Sequence, residues 1–320
     1  MAKQPRILAG QTAAITGAAR GIGRSTAQAF LRQGMKVAIG DLDVEAARQT
    51  AEELEPARAD RTLALPLDVT DRDSFAEFLD TTEEQLGPID VLVNNAGIMQ
   101  IGRFIDEDDV TAIRMVDINL HGVITGTKLA LDRMLPRDRG HIVNISSQAG
   151  KFGSPGGATY SATKHAVVGL TEAVRGEMRL MGANIRLSYV MPYVVRTELG
   201  SGLGDARSLS ELEPSEVADA IVEALRFDTV EVWVPKRSQV TNRVFNLLPR
   251  KVAEGMGRAM KADRVLADAD ASIRRGYELR ASHSEPALEG ADKPAQLTPA
   301  AAQPQGTQPA EEQVSQTAGE

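Results

Sequence analysis

Short apolar runs alternate with longer amphipathic stretches along most of this chain. Residues 12–16, 36–40, 63–67, 89–93, 141–145, 184–190 and 230–234 are short runs of mainly apolar residues. Such runs read as strands buried on both faces. Between them, the helical periodicity of Ala27, Phe30 and Leu31, of residues 43–55, 71–85 and 112–135, of the stretch reaching Met181, and of Val217, Ile221, Val222 and Leu225 predicts amphipathic helices. Residues 112–135 read as one long helix, with Ile113, Val116, Leu120, Ile124 and Leu131 on its apolar side. Strand and helix in strict turn predict an α/β fold, a parallel sheet covered by helices on both faces. Ligands on such sheets sit at the carboxyl ends of the strands.

Three segments depart from this rhythm. Residues 193–213 have no regular periodicity and carry Leu199, Leu203, Leu209 and Leu212 among several glycines. Their place after a strand end suits a mobile lid or a plain surface loop. Residues 238–279 read as helical, with Val240, Val244, Phe245, Leu248, Val252, Met256 and Met260 apolar and Arg243, Arg250, Lys251, Arg258 and Lys261 basic. An amphipathic basic helix over 240–262 suits a membrane surface, the mouth of a site, a dimer contact or packing on its own domain. From 281 to 320 the chain is Ala, Pro, Gln and Glu with almost no large apolar residue, so a disordered acidic tail is expected. The organisation expected is therefore a catalytic domain over 1–237, a helical extension over 238–280 and a tail over 281–320.

Composition narrows the classes of partner. The chain has 320 residues, 42 % hydrophobic and 25 % charged, as soluble globular proteins do. A formal net charge of -8 disfavours a nucleic-acid-binding surface. Cysteine is absent, and the histidines show no ligand spacing, so no metal site is expected. The opening residues lack the apolar core of a secretory leader and no segment is long and apolar enough to span a bilayer. A cytoplasmic protein, membrane-associated if the basic helix acts that way, is expected.

The chemistry concentrates at predicted strand ends. Thr16-Gly17-Ala18-Ala19-Arg20-Gly21-Ile22-Gly23 joins the first strand to the first helix, an arrangement that cradles phosphate. Asp41 ends the second strand, where a carboxylate takes the adenosine ribose hydroxyls and repels a 2'-phosphate; this favours NAD over NADP. Arg20 is a mild counter-signal, because it could face a phosphate. Asp41 could instead cap the next helix, a task open to Asp43 as well. Asp68, Asn94, Asn95 and Ser147 fall at further strand ends, and that co-location argues for one shared site. Tyr160 and Lys164 are four residues apart and share a helix face. A fixed cation beside a phenol is expected to draw its pKa below the free value of about 10, making it an acid or base near neutrality.

These residues give the chain a resemblance to the short-chain dehydrogenase/reductase family over roughly residues 8–236. The signals, in order, are Thr16-Gly17-x-x-x-Gly21-x-Gly23, Asn94-Asn95-Ala96-Gly97, Asn119, Ser147 and Tyr160-x-x-x-Lys164. The resemblance implies a doubly wound, seven-stranded parallel Rossmann sheet and a nicotinamide cofactor. It implies that Tyr160 exchanges a proton with the substrate oxygen, that Ser147 hydrogen-bonds that oxygen, and that Lys164 lowers the Tyr160 pKa and holds the nicotinamide ribose. Asn119, unfavourable within a helix, would kink it and hold a water in a proton relay. The cofactor residues implied are Gly17, Arg20, Gly21, Ile22, Gly23, Asp41, Asp68 and Val69 (the last two at adenine), Asn95, Ala96, Gly97, Tyr160, Lys164, and Thr197 at the carboxamide. A homo-oligomer is also implied.

Where the family has Pro-Gly after the sixth strand, this chain has Pro192-Tyr193, which puts a phenol ring at the substrate pocket or the nicotinamide. The leucines of 193–213 and the amphipathic extension suggest a lipophilic alcohol or ketone of steroid, retinoid or long-chain type. The competing expectation is a peripheral membrane or partner-binding protein, working through the basic helix and using its Rossmann domain to sense a nucleotide.

Overall fold

The computed structural model describes residues 4–55, 60–203, 211–259 and 264–283. Seven parallel strands form one sheet in the order β3-β2-β1-β4-β5-β6-β7. They are β1 (Thr12–Thr16), β2 (Lys36–Asp41), β3 (Thr62–Pro66), β4 (Ile89–Asn94), β5 (Gly140–Ile145), β6 (Ile185–Pro192) and β7 (Glu231–Val234). Each lies within about two residues of an expected apolar run. The order reverses between β1 and β4, and at that point the loops leaving the two strands diverge and open a crevice.

The helices are α1 (Gly21–Arg32), α2 (Val44–Leu54), α3 (Arg72–Leu86), α4 (Asp109–Val116), α5 (Gly122–Met134), α6 (Ala158–Met181) and α7 (Pro214–Phe227). Ala27, Phe30 and Leu31 of α1, Ala47 of α2, and Val217, Ile221 and Leu225 of α7 pack with Ile15, Ile39, Val93 and Val143 on one face of the sheet. Phe75, Phe78 and Leu79 of α3, Leu129 and Met134 of α5, and Met178 of α6 pack with Leu92, Ile142 and Leu187 on the other. Both faces are thus dry, which is why the strands read as continuous apolar runs. Burying each such side chain contributes about 1.5–3 kcal/mol.

Several polar side chains within these strands pair with one another inside the core. The Asn94 amide donates to Asn144 Oδ1 (2.8 Å), and the Asn144 amide donates to Thr171 Oγ1 (2.9 Å). His141 Nε2 lies 2.7 Å from Ser188 Oγ. Burial pushes this imidazole down to about 3, so it is neutral at physiological pH.

The helix expected over 112–135 is interrupted. A π-helical turn at Asp117–His121 separates α4 from α5. The extra residue is accommodated because the Asn119 side chain reaches out to another segment, as described below. The segment 238–279 is likewise several helices: α8 (Arg237–Leu247), α9 (Arg250–Ala259) and α10 (Ala271–His283). Pro249 follows the end of α8 and disfavours helix at Leu248. Leu209 of the lid reading, Met260 and Lys261 of the basic helix, and the tail from residue 284 onward lie outside the described residues.

Candidate functional site

The loop from β1 into α1 is built for close backbone approach. Gly17 adopts φ +62° and Gly21 φ +58°. A Cβ on Gly17 would stand 2.8 Å from Ala96 Cα, and one on Gly21 would stand 3.2 Å from Thr197 Cγ2. The cradle therefore touches both the segment after β4 and the segment after β6. Thr16 ties it down: its hydroxyl accepts the backbone N–H groups of Asn95 (3.0 Å) and Ala96 (2.9 Å). Thr16 heads the glycine motif in the sequence but carries no assigned role there; its place at a strand end, facing the loop after β4, was the available signal. The Asn95 amide donates to the carbonyls of Thr16 (2.9 Å) and Gly17 (2.8 Å), so it binds the two loops to each other.

Helix α1 carries no side-chain cap and no acid in its first turn among the described residues. By contrast, α2 and α3 are closed by Asp43 and Asp71. Open N–H groups at a glycine-cradled helix start fit an anion such as a pyrophosphate. Asp41 stands at the neighbouring strand end, accepting from the N–H groups of Ala19 (2.9 Å) and Asp43 (3.1 Å). Burial raises its carboxyl pKa, and those two donors oppose the rise. The capping task falls to Asp43, whose Oδ1 accepts from Ala46 N–H (3.1 Å). Arg20 is held by carboxylates, 2.5 Å from Asp43 and 3.5 Å from Glu198. Asp68 accepts from Thr70, while Val69 packs beneath Gly122.

Across the crevice, Ser147 follows β5 and opens the turn Gln148–Gly150, its hydroxyl accepting from Ala149 N–H (3.1 Å). Tyr160 and Lys164, one turn apart on α6, are both buried. The Lys164 ammonium donates to Ile145 O (3.0 Å) and sits 5.6 Å from the Tyr160 ring centroid. Asn119 pairs with both backbone groups of Ile98, accepting from its N–H and donating to its carbonyl, each at 2.8 Å. It also donates to Thr163 Oγ1 (3.3 Å) on α6. Gly97 lies between the two halves: a Cβ there would be 3.1 Å from Asn119 Oδ1 and 3.6 Å from Lys164 Nζ.

The expected lowering of the Tyr160 pKa is reversed. Burial pushes the phenol up to about 12, opposed by its hydrogen bond with Ser147. Burial also pushes Lys164 down to about 8. The ammonium faces a carbonyl and the ring, and burial, opposed by the Ser147 hydrogen bond, sets the phenol.

One cleft of 1280 Å³ joins all of this. Gly17, Arg20, Gly21, Ile22, Asp41, Asp68, Val69, Asn95, Ala96, Gly97, Ser147, Tyr160, Lys164, Tyr193 and Thr197 line it. Gly23 supports the cradle from within, and Asn119 acts through Ile98 and Thr163. Asn94 is not part of the site; its side chain points into the core, because alternate residues of a strand face opposite sides of the sheet. The end of the cleft beyond Tyr160 is apolar, formed by Met99, Leu199, Leu203, Val265 and Leu266, with Tyr193 packed against them.

The chain matches the family model for short chain dehydrogenases over residues 11–208. It is 37 % identical over 219 residues to the oxidoreductase UcpA of Escherichia coli K12, covering 68 % of this chain and 81 % of that one. It is 36 % identical over 228 residues to the 3-oxoacyl-[acyl-carrier-protein] reductase FabG of Thermotoga maritima, covering 67 % and 90 %. A crystal structure of a short chain dehydrogenase/reductase from Burkholderia phymatum in complex with NAD matches with a TM-score of 0.68 and 26 % identity. It covers 75 % of this chain and 94 % of that one.

Proposed function

The chain belongs to the short-chain dehydrogenase family of oxidoreductases, and from that premise we propose that it interconverts a lipophilic alcohol and its ketone or aldehyde, using NAD in preference to NADP. The observation that carries this reading is the Tyr160 phenol, hydrogen-bonded to Ser147, at the wall of the same cleft as the glycine cradle.

Each residue has a defined task. Ser147 holds the substrate oxygen within reach of Tyr160. Tyr160 gives that oxygen a proton during reduction and takes it back during oxidation. Burial favours the protonated phenol, the form that donates when the reaction runs as a reduction. The nicotinamide ring, when bound, supplies the hydride or accepts it. Lys164 faces the same wall and would hold the ribose hydroxyls, while Gly17, Gly21 and the open start of α1 would hold the pyrophosphate. Ala96, Gly97 and Thr197 border the path between them, and Asp68 and Val69 would flank the adenine. Asn119 keeps the floor of the cleft in register through Ile98.

Asp41 supports NAD, because its carboxylate at the end of β2 repels a 2'-phosphate. Arg20, the counter-signal, is engaged by Asp43 and Glu198. The apolar end of the cleft supports a lipophilic substrate. Fluorescence titration is expected to give a Kd for NADH at least about tenfold below that for NADPH, a difference of about 1.4 kcal/mol. A panel of secondary alcohols and ketones with NAD(H) should show kcat/KM rising with apolar size. Tighter NADPH binding, or preference for polyols, would end those parts of the reading.

A second reading concerns location. Among the described residues no helix is long and apolar enough to cross a membrane. Yet Val240, Val244, Leu247, Val252 and Met256 are exposed on α8 and α9, Leu247 at 85 %. Residues 236–259 carry six cations and one anion in a chain of net charge -8. This face suits an anionic bilayer surface beside the cleft mouth. The full chain should sediment with phosphatidylserine vesicles and not with phosphatidylcholine vesicles, and Arg250→Glu/Lys251→Glu should release it; equal sedimentation with both lipids counts against the reading. Exposed Phe104, Ile105 and Val110 similarly support a homo-oligomer, which light scattering would test.

A further inference from the structure

A charged residue in a polar stretch of helix is ordinarily solvated, but Arg274 on α10 is only 1 % exposed. Taking a guanidinium out of water costs several kcal/mol unless its N–H groups find acceptors. Arg274 finds four. Nη1 donates to the carbonyls of Leu199 (2.9 Å) and Ser201 (2.8 Å), Nη2 to that of Met99 (2.9 Å), and Nε to Glu278 Oε1 (3.0 Å).

The three carbonyls belong to two separate loops. Met99 lies on the loop after β4, close to Gly97. Leu199 and Ser201 lie after β6, just beyond Thr197. Other contacts from the same segment reach the same two loops. Tyr277 Oη accepts from Met99 N–H (2.9 Å), so α10 holds both backbone groups of that residue. Gln100 donates to Glu278 O (2.9 Å), Asp270 N–H to Gly202 O (2.7 Å), and Arg280 to Glu198 (3.1 Å). Met99, Leu199, Val265, Leu266 and Tyr277 line the cleft, whereas Arg274 does not.

We propose that Arg274 is a positioning residue of the substrate site. By binding the carbonyls of Met99, Leu199 and Ser201, it holds the loops after β4 and β6 at a fixed spacing. The helical extension thereby forms one wall of the apolar substrate end. The substrate class this favours is an alcohol or ketone whose apolar body reaches past Tyr160 to Leu199 and Leu266. This rests on the oxidoreductase reading for its kinetic arm and on geometry alone for its exchange arm.

The test compares full-length wild type, Arg274→Met, Arg274→Lys and Tyr277→Phe. Kinetics are measured with NAD and a short and a long secondary alcohol, propan-2-ol and octan-2-ol. Arg274→Met should raise KM for the long alcohol about tenfold, as expected for a displaced apolar wall, with less than about threefold change for the short one. Its NADH affinity should stay within about twofold of wild type. Arg274→Lys, which keeps a cation but not the three-way fork, should recover part of the loss.

Hydrogen exchange should quicken at residues 98–102 and 199–203 in Arg274→Met and at Met99 in Tyr277→Phe. Equal KM changes for both alcohols, or unchanged exchange at both loops, would overturn the proposal. If Arg274→Met does not fold, Tyr277→Phe decides by exchange at Met99. If wild type binds NADH but turns over no alcohol or ketone, the substrate reading fails, and exchange decides the positioning role on its own.

Discussion

Replacing Lys164 with methionine removes a cation that the fold keeps at a cost. Lys164 is 4 % exposed and its ammonium has one carbonyl, Ile145 O at 3.0 Å, as its hydrogen-bond acceptor. Burial moves its pKa from 10.5 to about 8. That fall corresponds to at most about 3 kcal/mol against folding. Methionine fills similar space and carries no charge, but it leaves the Ile145 carbonyl without its donor, at about 1–2 kcal/mol. The net expectation at pH 7 is a gain of about 1–2 kcal/mol, or about 2–4 °C in Tm.

The pH dependence fixes the sign. Well below pH 8 both folded and unfolded chains hold the proton and the cost is fully present. Between about 8 and 10.5 the folded chain releases its proton while the unfolded chain keeps it, so wild-type stability climbs relative to the variant. Tyr160, raised from 10.0 to about 12, contributes nothing to this difference below about pH 9.5. The assay is urea unfolding of both proteins without cofactor at pH 7 and pH 9.5. Lys164→Met should be the more stable at pH 7 and lose that advantage at pH 9.5. A variant less stable at pH 7 by the same margin as at pH 9.5 would refute the burial argument.

Three further outcomes follow from the site. Gly17→Ala should lose about 1–3 kcal/mol of stability, because it forces a side chain into φ +62° and against Ala96 Cα at 2.8 Å; it should also weaken NADH binding at least tenfold by titration. Asp41→Ala should shift the ratio of NADPH to NADH affinity toward NADPH by about tenfold, measured by the same titration. Thr16→Val should cost about 2 kcal/mol in urea unfolding, since it strips the acceptor from the Asn95 and Ala96 N–H groups inside the cleft wall.

The sheet was legible because its inner strands are buried on both faces, so that a run such as Ala13-Ala14-Ile15 is fully covered, while the edge strand β3 is only partly buried. The glycine turn and the Tyr160–Lys164 spacing were legible for the same reason: local geometry alone sets them. What sequence could not give depends on distant partners. Asn94 and Asn95 are neighbours in the chain, yet one joins a core relay to Asn144 and the other straps Thr16 and Gly17. Asn119 earns its place through Ile98, a partner 21 residues away. The sign of the Tyr160 shift depends on how dry the site is, which no spacing reveals. Arg274 looks like any solvated cation until the loops bearing Met99 and Leu199 are brought around it.

As the proposed proton donor and acceptor of a hydride-transfer site, Tyr160 is best tested by the rate of NADH absorbance change with a substrate accepted by the wild type, compared between wild type and Tyr160→Phe. The phenylalanine ring keeps the packing and removes the one oxygen that exchanges the proton. Tyr160→Phe should lose at least about 10²-fold in kcat, with the Kd for NADH within a few-fold of wild type and unfolding little changed. Turnover by Tyr160→Phe at the wild-type rate would contradict that role.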